Sequence, residues 1–222
     1  MVSDLNKIKF DFPGYVIHLK SLTNRLPLIE DVKTVTDISL NIFNAFDGSE
    51  WWRTMPLQHP WRFDKITQGM VGCTQSHLAV LDSIQNQSMD AMYLFEDDAV
   101  FVKPIKDLNV YLDNIENSGL EWDIILLGAN EYVVSEPIEG HQDICSVKRF
   151  WGAHAMLIKR AIIPQLRNVF DASIANGIFL PPDWLYNNAI NVGIKVLGPT
   201  IPKEFVIQAP GYVSALTGKI RC

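Results

Sequence analysis

Apolar runs of strand length alternate with segments of helical periodicity along most of the 222 residues, and this alternation restricts the fold more than any other feature. Residues 15–19 and 91–95 are short, nearly continuous apolar runs, which is typical of strands buried on both faces. Between residues 72 and 87 the apolar side chains recur at helical spacing. Strands that alternate with helices favour an α/β sandwich with a mainly parallel central sheet. Sheets of this kind bind ligands at the carboxyl ends of their strands.

The other predicted elements continue this alternation. Pro27 and Pro104 suit the first turn of a helix, whereas Pro164 is expected to interrupt the helix that contains it. Residues 47–67 combine glycine, proline and three tryptophans, which predicts a long ordered loop. Helices are expected over residues 24–35, 72–87, 104–117, 160–170 and 183–191, and strands over residues 38–43, 122–127 and 150–158.

The composition limits the classes of protein to consider. With 48% hydrophobic and 20% charged residues, the chain suits one globular domain over residues 1–222. The net charge of −6 argues against nucleic acid as a partner, because phosphate binding depends on clustered lysine and arginine. The longest apolar runs are far shorter than the ~20 residues that cross a bilayer, so we predict no transmembrane segment.

The N-terminal residues and the cysteines predict a cytoplasmic location. Residues 1–10 mix charged and apolar side chains, and they lack the continuous apolar stretch of a secretory signal. Cys73, Cys145 and Cys222 are odd in number and widely spaced, which fits neither a disulfide framework nor a structural zinc site. A reducing compartment is the simpler interpretation.

Three consecutive carboxylates, Glu96, Asp97 and Asp98, directly follow the apolar run at residues 91–95. Along an extended chain alternate side chains share one side, so Glu96 and Asp98 would converge and Asp97 would point away. Converging carboxylate oxygens suit Mn²⁺ or Mg²⁺, which would neutralise a departing diphosphate.

An exposed acidic turn is the plainer interpretation of the same triplet, because acidic clusters are common on protein surfaces. The position directly behind a buried strand favours metal binding over this alternative. A glycoside hydrolase is disfavoured, since its two carboxyl groups must lie about 5 Å or more apart across the substrate. Three adjacent residues do not secure that separation.

A second motif is the segment of residues 69–77, which has two glycines at the entrance of the predicted helix. Glycine allows close backbone approach, and the free amides at a helix start favour a phosphate or another anion. Cys73 is interpreted as a small core residue rather than a nucleophile. His77 fits a structural, hydrogen-bonded role as well as a functional one.

Taken in order along the chain, these segments resemble glycosyltransferase family 25, the lipopolysaccharide-biosynthesis and procollagen galactosyltransferase group. The most specific matches are residues 69–77, which follow the pattern G-x-x-G-C-x-x-S-H, and residues 96–98, which match the EDD metal motif. The resemblance covers most of the chain. Supporting matches lie at residues 16–19, 24–25, 43–48, 151–160, 183–184 and 208–214.

The resemblance implies a GT-A fold, a UDP-linked sugar donor, inversion at the anomeric carbon and a glycan, glycolipid or glycoprotein acceptor. It places the ligands of Mn²⁺ or Mg²⁺ at Glu96 and Asp98. His18 departs from the family pattern, which usually has asparagine there, so the donor contacts at the first strand do not carry over. Expected donor contacts are Asn24, Arg25, Asp47, Gly48, Ser76, His77, Asp97 and Gly152.

An inverting transfer needs a base on the acceptor side, and Asp183 is the candidate. Two prolines precede it and Trp184 follows it, so Trp184 is the expected acceptor contact. A helix cap is an equally good interpretation of Asp183. Core packing is the default role for the tryptophans, although some could stack on sugar faces. These are Trp51, Trp52, Trp61, Trp151 and Trp184.

Two other functions fit the predicted fold. A sugar nucleotidyltransferase also combines a nucleotide-binding α/β domain with metal-binding carboxylates, but it would need a glycine-rich, basic phosphate loop after the first strand. Residues 19–23 contain no glycine, so this function ranks second. A non-catalytic carbohydrate-binding domain of the same fold is the third possibility, and the intact carboxylates argue against it.

Overall fold

The computed structural model describes residues 7–49 and 68–210, and its centre is an eight-stranded sheet in the order β2-β1-β3-β8-β5-β9-β7-β6. The pairings leave β7 and β8 as the two strands that run opposite to the other six. The predicted mainly parallel sheet is therefore confirmed. The strands are β1 Gly14–His18, β2 Leu40–Asn44, β3 Ala91–Glu96, β4 Ala99–Phe101, β5 Ile124–Gly128, β6 Glu131–Ile138, β7 His141–Trp151, β8 Ala155–Lys159, β9 Val196–Pro199 and β10 Val206–Gln208.

Five α-helices of the described residues cover both faces of this sheet. The apolar stripes of α1 and α3 pack on one face, whereas α2, α4 and α5 pack on the other. The fold is thus the α/β sandwich that the sequence predicts. The helices are α1 Leu26–Thr36, α2 Gln68–Ile84, α3 Ile105–Ser118, α4 Ile163–Ala175 and α5 Pro182–Asn191.

Strand β3 shows why its sequence is apolar throughout. Tyr93 and Phe95 pack against the core under α1 and α3, whereas Met92 and Leu94 pack against the core under the other helices. All four side chains are fully buried. A strand covered on both faces must be apolar at every position. The charged residue Glu96 is accordingly the last residue of β3.

A second, two-stranded sheet pairs β4 with β10 in antiparallel orientation, and it joins the end of the described chain to the carboxylate triplet. Gln208 lies opposite Ala99, and the amide of Ala209 donates a hydrogen bond to the carbonyl of Asp98 at 2.7 Å. Residues separated by about 110 positions in sequence are thereby brought together at the end of β3.

Two predictions for the C-terminal third are wrong. Residues 150–158 form the end of β7 and the start of β8 instead of one strand, because Gly152 breaks the chain between them with φ of +88°. Pro164 does not interrupt a helix, because α4 begins at Ile163 after a short 3-10 turn and the proline falls in its first turn.

Other boundaries differ by a few residues. A 3-10 turn at Thr23–Arg25 precedes α1, so the helix expected from residue 24 starts two residues later. Pro104 occupies the N-cap of α3 rather than its first turn. Most of the loop predicted at residues 47–67 lies outside the described residues. Within the described ranges, every helix is too short or too polar to cross a membrane.

Candidate active site

The carboxyl ends of β1 and β3 form the floor of a cavity of about 290 Å³. The two strands are parallel neighbours with Ile17 opposite Glu96, so the residues that follow them emerge at the same edge of the sheet. The walls come from the start of α2 and from residues 45–49. The cavity is lined by Ile17, Leu19, Leu22, Arg25, Ala45, Phe46, Asp47, Gly48, Ser49, Gln68, Gly69, Cys73, Glu96, Asp97 and Asp98.

Asp97 lines the cavity and is held by two basic side chains. Its Oδ2 lies 2.8 Å from Nδ1 of His18, and its Oδ1 accepts a hydrogen bond from Nη1 of Arg25. The same Nη1 lies 3.4 Å from Oδ2 of Asp98. His18, Arg25 and Asp97 are only 4–5% exposed, so this hydrogen-bonded network around the Arg25–Asp97 ion pair is buried. The sequence singled out His18 only as a departure from the family pattern, and its contact with Asp97 was not predicted.

Replacing Asp97 with Asn is expected to destabilise the protein by about 3 kcal/mol, because removing one partner leaves the buried Arg25 poorly compensated. Removing one partner of a buried ion pair usually costs about 3–5 kcal/mol of stability. The lower end of that range applies because Asp98 remains close to Arg25. Urea unfolding measures the change. The matched control is Asp82→Asn, which breaks an exposed ion pair with Arg167 and should change stability by at most about 1 kcal/mol. Equal losses of unfolding free energy in the two variants would contradict the proposed contribution of the buried network to stability.

The side-chain amide of Gln208 lies between the carboxylates of Glu96 and Asp98. Its Nε2 is 3.1 Å from Oε2 of Glu96 and 3.5 Å from Oδ1 of Asp98. Asn130 donates a hydrogen bond to Oε1 of Gln208 at 2.8 Å, which turns the amide nitrogen towards the carboxylates. The two carboxylates therefore face a shared point, where oxygen ligands could hold a hard divalent cation.

Glu96 and Asp98 reach this point by a different route from the expected strand alternation. Strand β3 ends at Glu96, and Asp97 and Asp98 form a tight turn into β4. The turn directs Asp97 towards Arg25 and leaves Asp98 beside Gln208. Gln208 was part of a family segment in the sequence but had no assigned role.

The other oxygen of Glu96 belongs to a cluster of three different ligand types, which we call the Cys73–His77–Glu96 cluster. Oε1 of Glu96 lies 3.4 Å from Nε2 of His77 and 3.7 Å from Sγ of Cys73. The three ligand atoms all lie within 4.8 Å of one another. His77 is fully buried, and its Nδ1 lies 3.1 Å from the hydroxyl of Tyr186.

Cys73 is not suited to act as a nucleophile in this setting. Burial raises the pKa of its thiol well above the ordinary value, and the negative charges of Glu96, Asp183 and Asp98 add to the increase. A protonated thiol is a poor nucleophile. Asp183, Glu96 and Asp98 thus lie close enough to act on the same thiol.

Gly48 and Gly72 allow the loop that contains Asp47 to pack directly on α2. A Cβ atom on Gly72 would lie 2.5 Å from the carbonyl oxygen of Phe46 and 2.7 Å from the amide of Gly48. Ser76, one helical turn further on, accepts a hydrogen bond from the amide of Phe46 at 2.9 Å. The glycine and serine of the motif thus position the cavity wall.

Gly72→Ala is expected to destabilise the protein by about 1–3 kcal/mol, because the obstructing atoms are backbone atoms that cannot rotate away. Alanine would by itself favour a helix by about 0.5–1 kcal/mol. The steric conflict is therefore what makes the substitution destabilising overall. Thermal unfolding checks this against Asp82→Ala on the same helix, which should stay within about 0.5 kcal/mol of the parent. A stabilised Gly72→Ala protein would contradict the close packing.

Asp183 lies in the first turn of α5 and is half-buried. The N-cap position belongs to Pro181, so Asp183 is not the capping residue that the alternative interpretation supposed. Trp184 is 38% exposed and its ring lies 6.0 Å from that of Trp151. Arg149 in turn lies 5.1 Å from the ring of Trp151.

Four of the predicted donor residues are absent from the cavity lining formed by the described residues: Asn24, Gly152 and the fully buried Ser76 and His77. Asn24 is exposed. Gly152 contacts Asn130, which holds Gln208, so it supports the site indirectly. Asp47 lines the cavity, and its Oδ1 accepts a hydrogen bond from the amide of Ser49. Trp51, Trp52 and Trp61 lie outside the described residues.

The fold and the site together define an α/β sandwich protein with an acidic cavity at the carboxyl edge of its sheet. A sequence model described as "Glycosyltransferase family 25 (LPS biosynthesis protein)" matches residues 12–151. The chain belongs to this family. Within the solved structures, the fold is similar to that of A197 from STIV, with a TM-score of 0.50 and 15% identity over 91% of this chain and 96% of that one.

Curated relatives include procollagen galactosyltransferases and an inactive member of the family. Human procollagen galactosyltransferase 2 is 30% identical over 60% of this chain and 23% of its own length. Procollagen galactosyltransferase 1-A of Xenopus laevis is 33% identical over 60% of this chain and 24% of its own length. The human inactive glycosyltransferase 25 family member 3 is 29% identical over 57% of this chain and 23% of its own length. The chain thus spans about a quarter of the length of these relatives.

Proposed function

We propose that the protein transfers a sugar from a UDP-linked donor to a hydroxyl group of a glycan, glycolipid or glycoprotein, with inversion at the anomeric carbon. The observation that carries this proposal is the convergence of Glu96 and Asp98 on one point at the floor of the cavity. A GT-A type of donor site combines such carboxylates with the carboxyl edge of a parallel sheet. Family membership supports the same function.

On the donor side, Glu96 and Asp98 would hold Mn²⁺ or Mg²⁺, because both present oxygen ligands to the point now taken by Gln208. The bound cation would supply positive charge to the departing diphosphate. Arg25 bridges Asp97 and Asp98, and it thereby fixes the turn that carries the ligand Asp98. His18 completes this support from the end of β1.

On the acceptor side, Asp183 would accept the proton of the attacking hydroxyl group. Its charge acts on Cys73, which lines the cavity, and on the buried Tyr186, which supports a position next to the donor. Trp184 and Trp151 offer neighbouring ring faces on which an acceptor sugar could stack. Aromatic faces of this kind would orient the acceptor hydroxyl towards Asp183.

The relatives' names supply the first donor to test and the main alternative. Two of them are procollagen galactosyltransferases, so UDP-galactose is the first donor. Another is an inactive family member, which keeps a non-catalytic carbohydrate-binding role as the second candidate. The family description adds lipopolysaccharide biosynthesis as a process in which the acceptor would lie. The cytoplasmic location and the single-domain organisation stay predictions.

A screen of UDP-sugars for Mn²⁺-dependent release of UDP tests the proposed function without an acceptor. Slow release from at least one donor is expected with Mn²⁺, and no release is expected with a chelator. Binding of a UDP-sugar without release, in the presence of candidate acceptors as well, would favour the non-catalytic role. Release that is indifferent to the chelator would contradict the metal dependence.

A further inference from the structure

We propose that the Cys73–His77–Glu96 cluster is a second cation site, which binds a borderline-soft divalent ion of the Zn²⁺ class. Its three ligand atoms are a thiol sulfur, an imidazole nitrogen and a carboxylate oxygen, which is the mixture that zinc accepts and Mg²⁺ does not. The site is distinct from the point between Glu96 and Asp98, where oxygen atoms converge.

Two of the three distances within the cluster match those between ligands of one tetrahedral ion, and the third, between Sγ of Cys73 and Nε2 of His77, is below 4.8 Å. Zinc bonds of about 2.0–2.3 Å at tetrahedral angles place neighbouring ligand atoms about 3.3–3.7 Å apart. The observed separations from Oε1 of Glu96 are 3.4 Å to His77 and 3.7 Å to Cys73. The carboxylate oxygen of Glu96 is thus already at ligand-to-ligand distance from both other atoms.

The surrounding structure holds the three ligands in place. Cys73 and His77 are four residues apart on α2, so their side chains lie on one face of the helix. The Tyr186 hydroxyl lies 3.1 Å from Nδ1 of His77, and it would accept the proton of that nitrogen when Nε2 faces the ion. This is the outer hydrogen bond that ligating histidines commonly make.

The position also suits an ion electrostatically and sterically. Asp98 and Asp183 add negative charge near the thiol. These two carboxylates would attract a cation at the cluster in addition to its three ligands. Cys73 and Glu96 line the cavity, which leaves a fourth coordination position directed towards it. Three protein ligands with one open position are the arrangement of a reactive or exchangeable zinc site rather than a closed structural one.

Glu96 links this site to the proposed donor site. The inhibition by Zn²⁺ that we infer from this link rests on the proposed function. Its Oε1 faces Cys73 and His77, whereas its Oε2 faces Gln208 and the point shared with Asp98. An ion on Oε1 would withdraw charge from the carboxylate that the donor's cation needs. Zn²⁺ is therefore expected to inhibit Mn²⁺-dependent transfer, and the inhibition should weaken in Cys73→Ser.

Titration of the metal-free protein with Co²⁺ tests the site without any donor or activity. A 1:1 complex with a thiolate-to-cobalt charge-transfer band is expected in the parent protein and should be lost in Cys73→Ser. Cys145→Ser is the matched control, because Cys145 is the other free thiol of the described residues and should not contribute to the band. Melting curves of each variant establish that it is folded.

Two further variants separate this site from the proposed donor site. Tyr186→Phe should keep the charge-transfer band but weaken Zn²⁺ affinity about 10–100-fold, which calorimetry measures. Asp98→Asn should keep the band even if it loses Mn²⁺-dependent binding of UDP. A parent protein without the band, or a band that survives in folded Cys73→Ser, would overturn the zinc site and leave the proposed function intact. A parent protein that shows the band but releases no UDP from any donor with Mn²⁺ would overturn the proposed function and leave the zinc site intact.

Discussion

Asp98→Asn is expected to abolish Mn²⁺-dependent binding of UDP while the protein stays folded. The neutral amide cannot supply the charge that a cation bridging the diphosphate requires. The loss of affinity should exceed about 100-fold, since removing a residue that merely supports a metal ligand already costs about 10–100-fold. Arg25 keeps its ion pair with Asp97 in this variant, which favours retention of the fold.

Calorimetry with UDP and Mn²⁺ measures this loss, and Asp171→Asn provides the control. Asp171 lies on the exposed side of α4, so the control makes the same change of charge far from the cavity. Glu96→Gln should show a similar but smaller loss than Asp98→Asn. Unchanged affinity in Asp98→Asn would remove that residue from the metal site.

Asp183→Asn is expected to reduce transfer by about 10²–10⁴-fold with little change in donor binding, because a general base contributes mainly in the transition state. The competing structural role predicts a different pattern. As an acidic residue in the first turn of α5, Asp183 would stabilise the helix by about 0.3–1 kcal/mol through the helix dipole. That role would leave turnover near normal and lower the melting temperature slightly.

Turnover, UDP affinity and melting temperature measured on one preparation of Asp183→Asn separate these roles. Asn188→Asp serves as a control for a change of one charge elsewhere on the same helix. Near-normal transfer by Asp183→Asn would exclude Asp183 as the base, and the search would move to other acceptor-side carboxylates. The metal-dependent transferase would still stand.

The sandwich architecture was predictable because strands buried on both faces leave a strong local signal. Continuous apolar runs such as residues 91–95 can only be central strands or short buried helices, and the helical periodicity of the intervening segments decides between them. The break at Gly152 was not predictable by this argument. Its cause is a positive φ beside Asn130, a contact with a residue on a different part of the chain.

The acidic part of the site was predictable, whereas its supporting contacts were not. Glu96, Asp97 and Asp98 stand out because charge follows a buried strand without a spacer. Gln208 and His18 carry no such local signal, since each acquires its place through pairing of distant strands. The cluster of Cys73 and His77 with Glu96 was missed for the same reason, although their spacing of four residues was visible in the sequence.

Anomalous diffraction from crystals grown with Mn²⁺ and UDP would test the central claim most directly. We predict one manganese peak between Oε2 of Glu96 and Oδ1 of Asp98, with the diphosphate of UDP bound to the same ion and Gln208 displaced from that point. A manganese peak away from both carboxylates, or UDP bound outside the cavity floored by Glu96 and Asp98, would contradict the account.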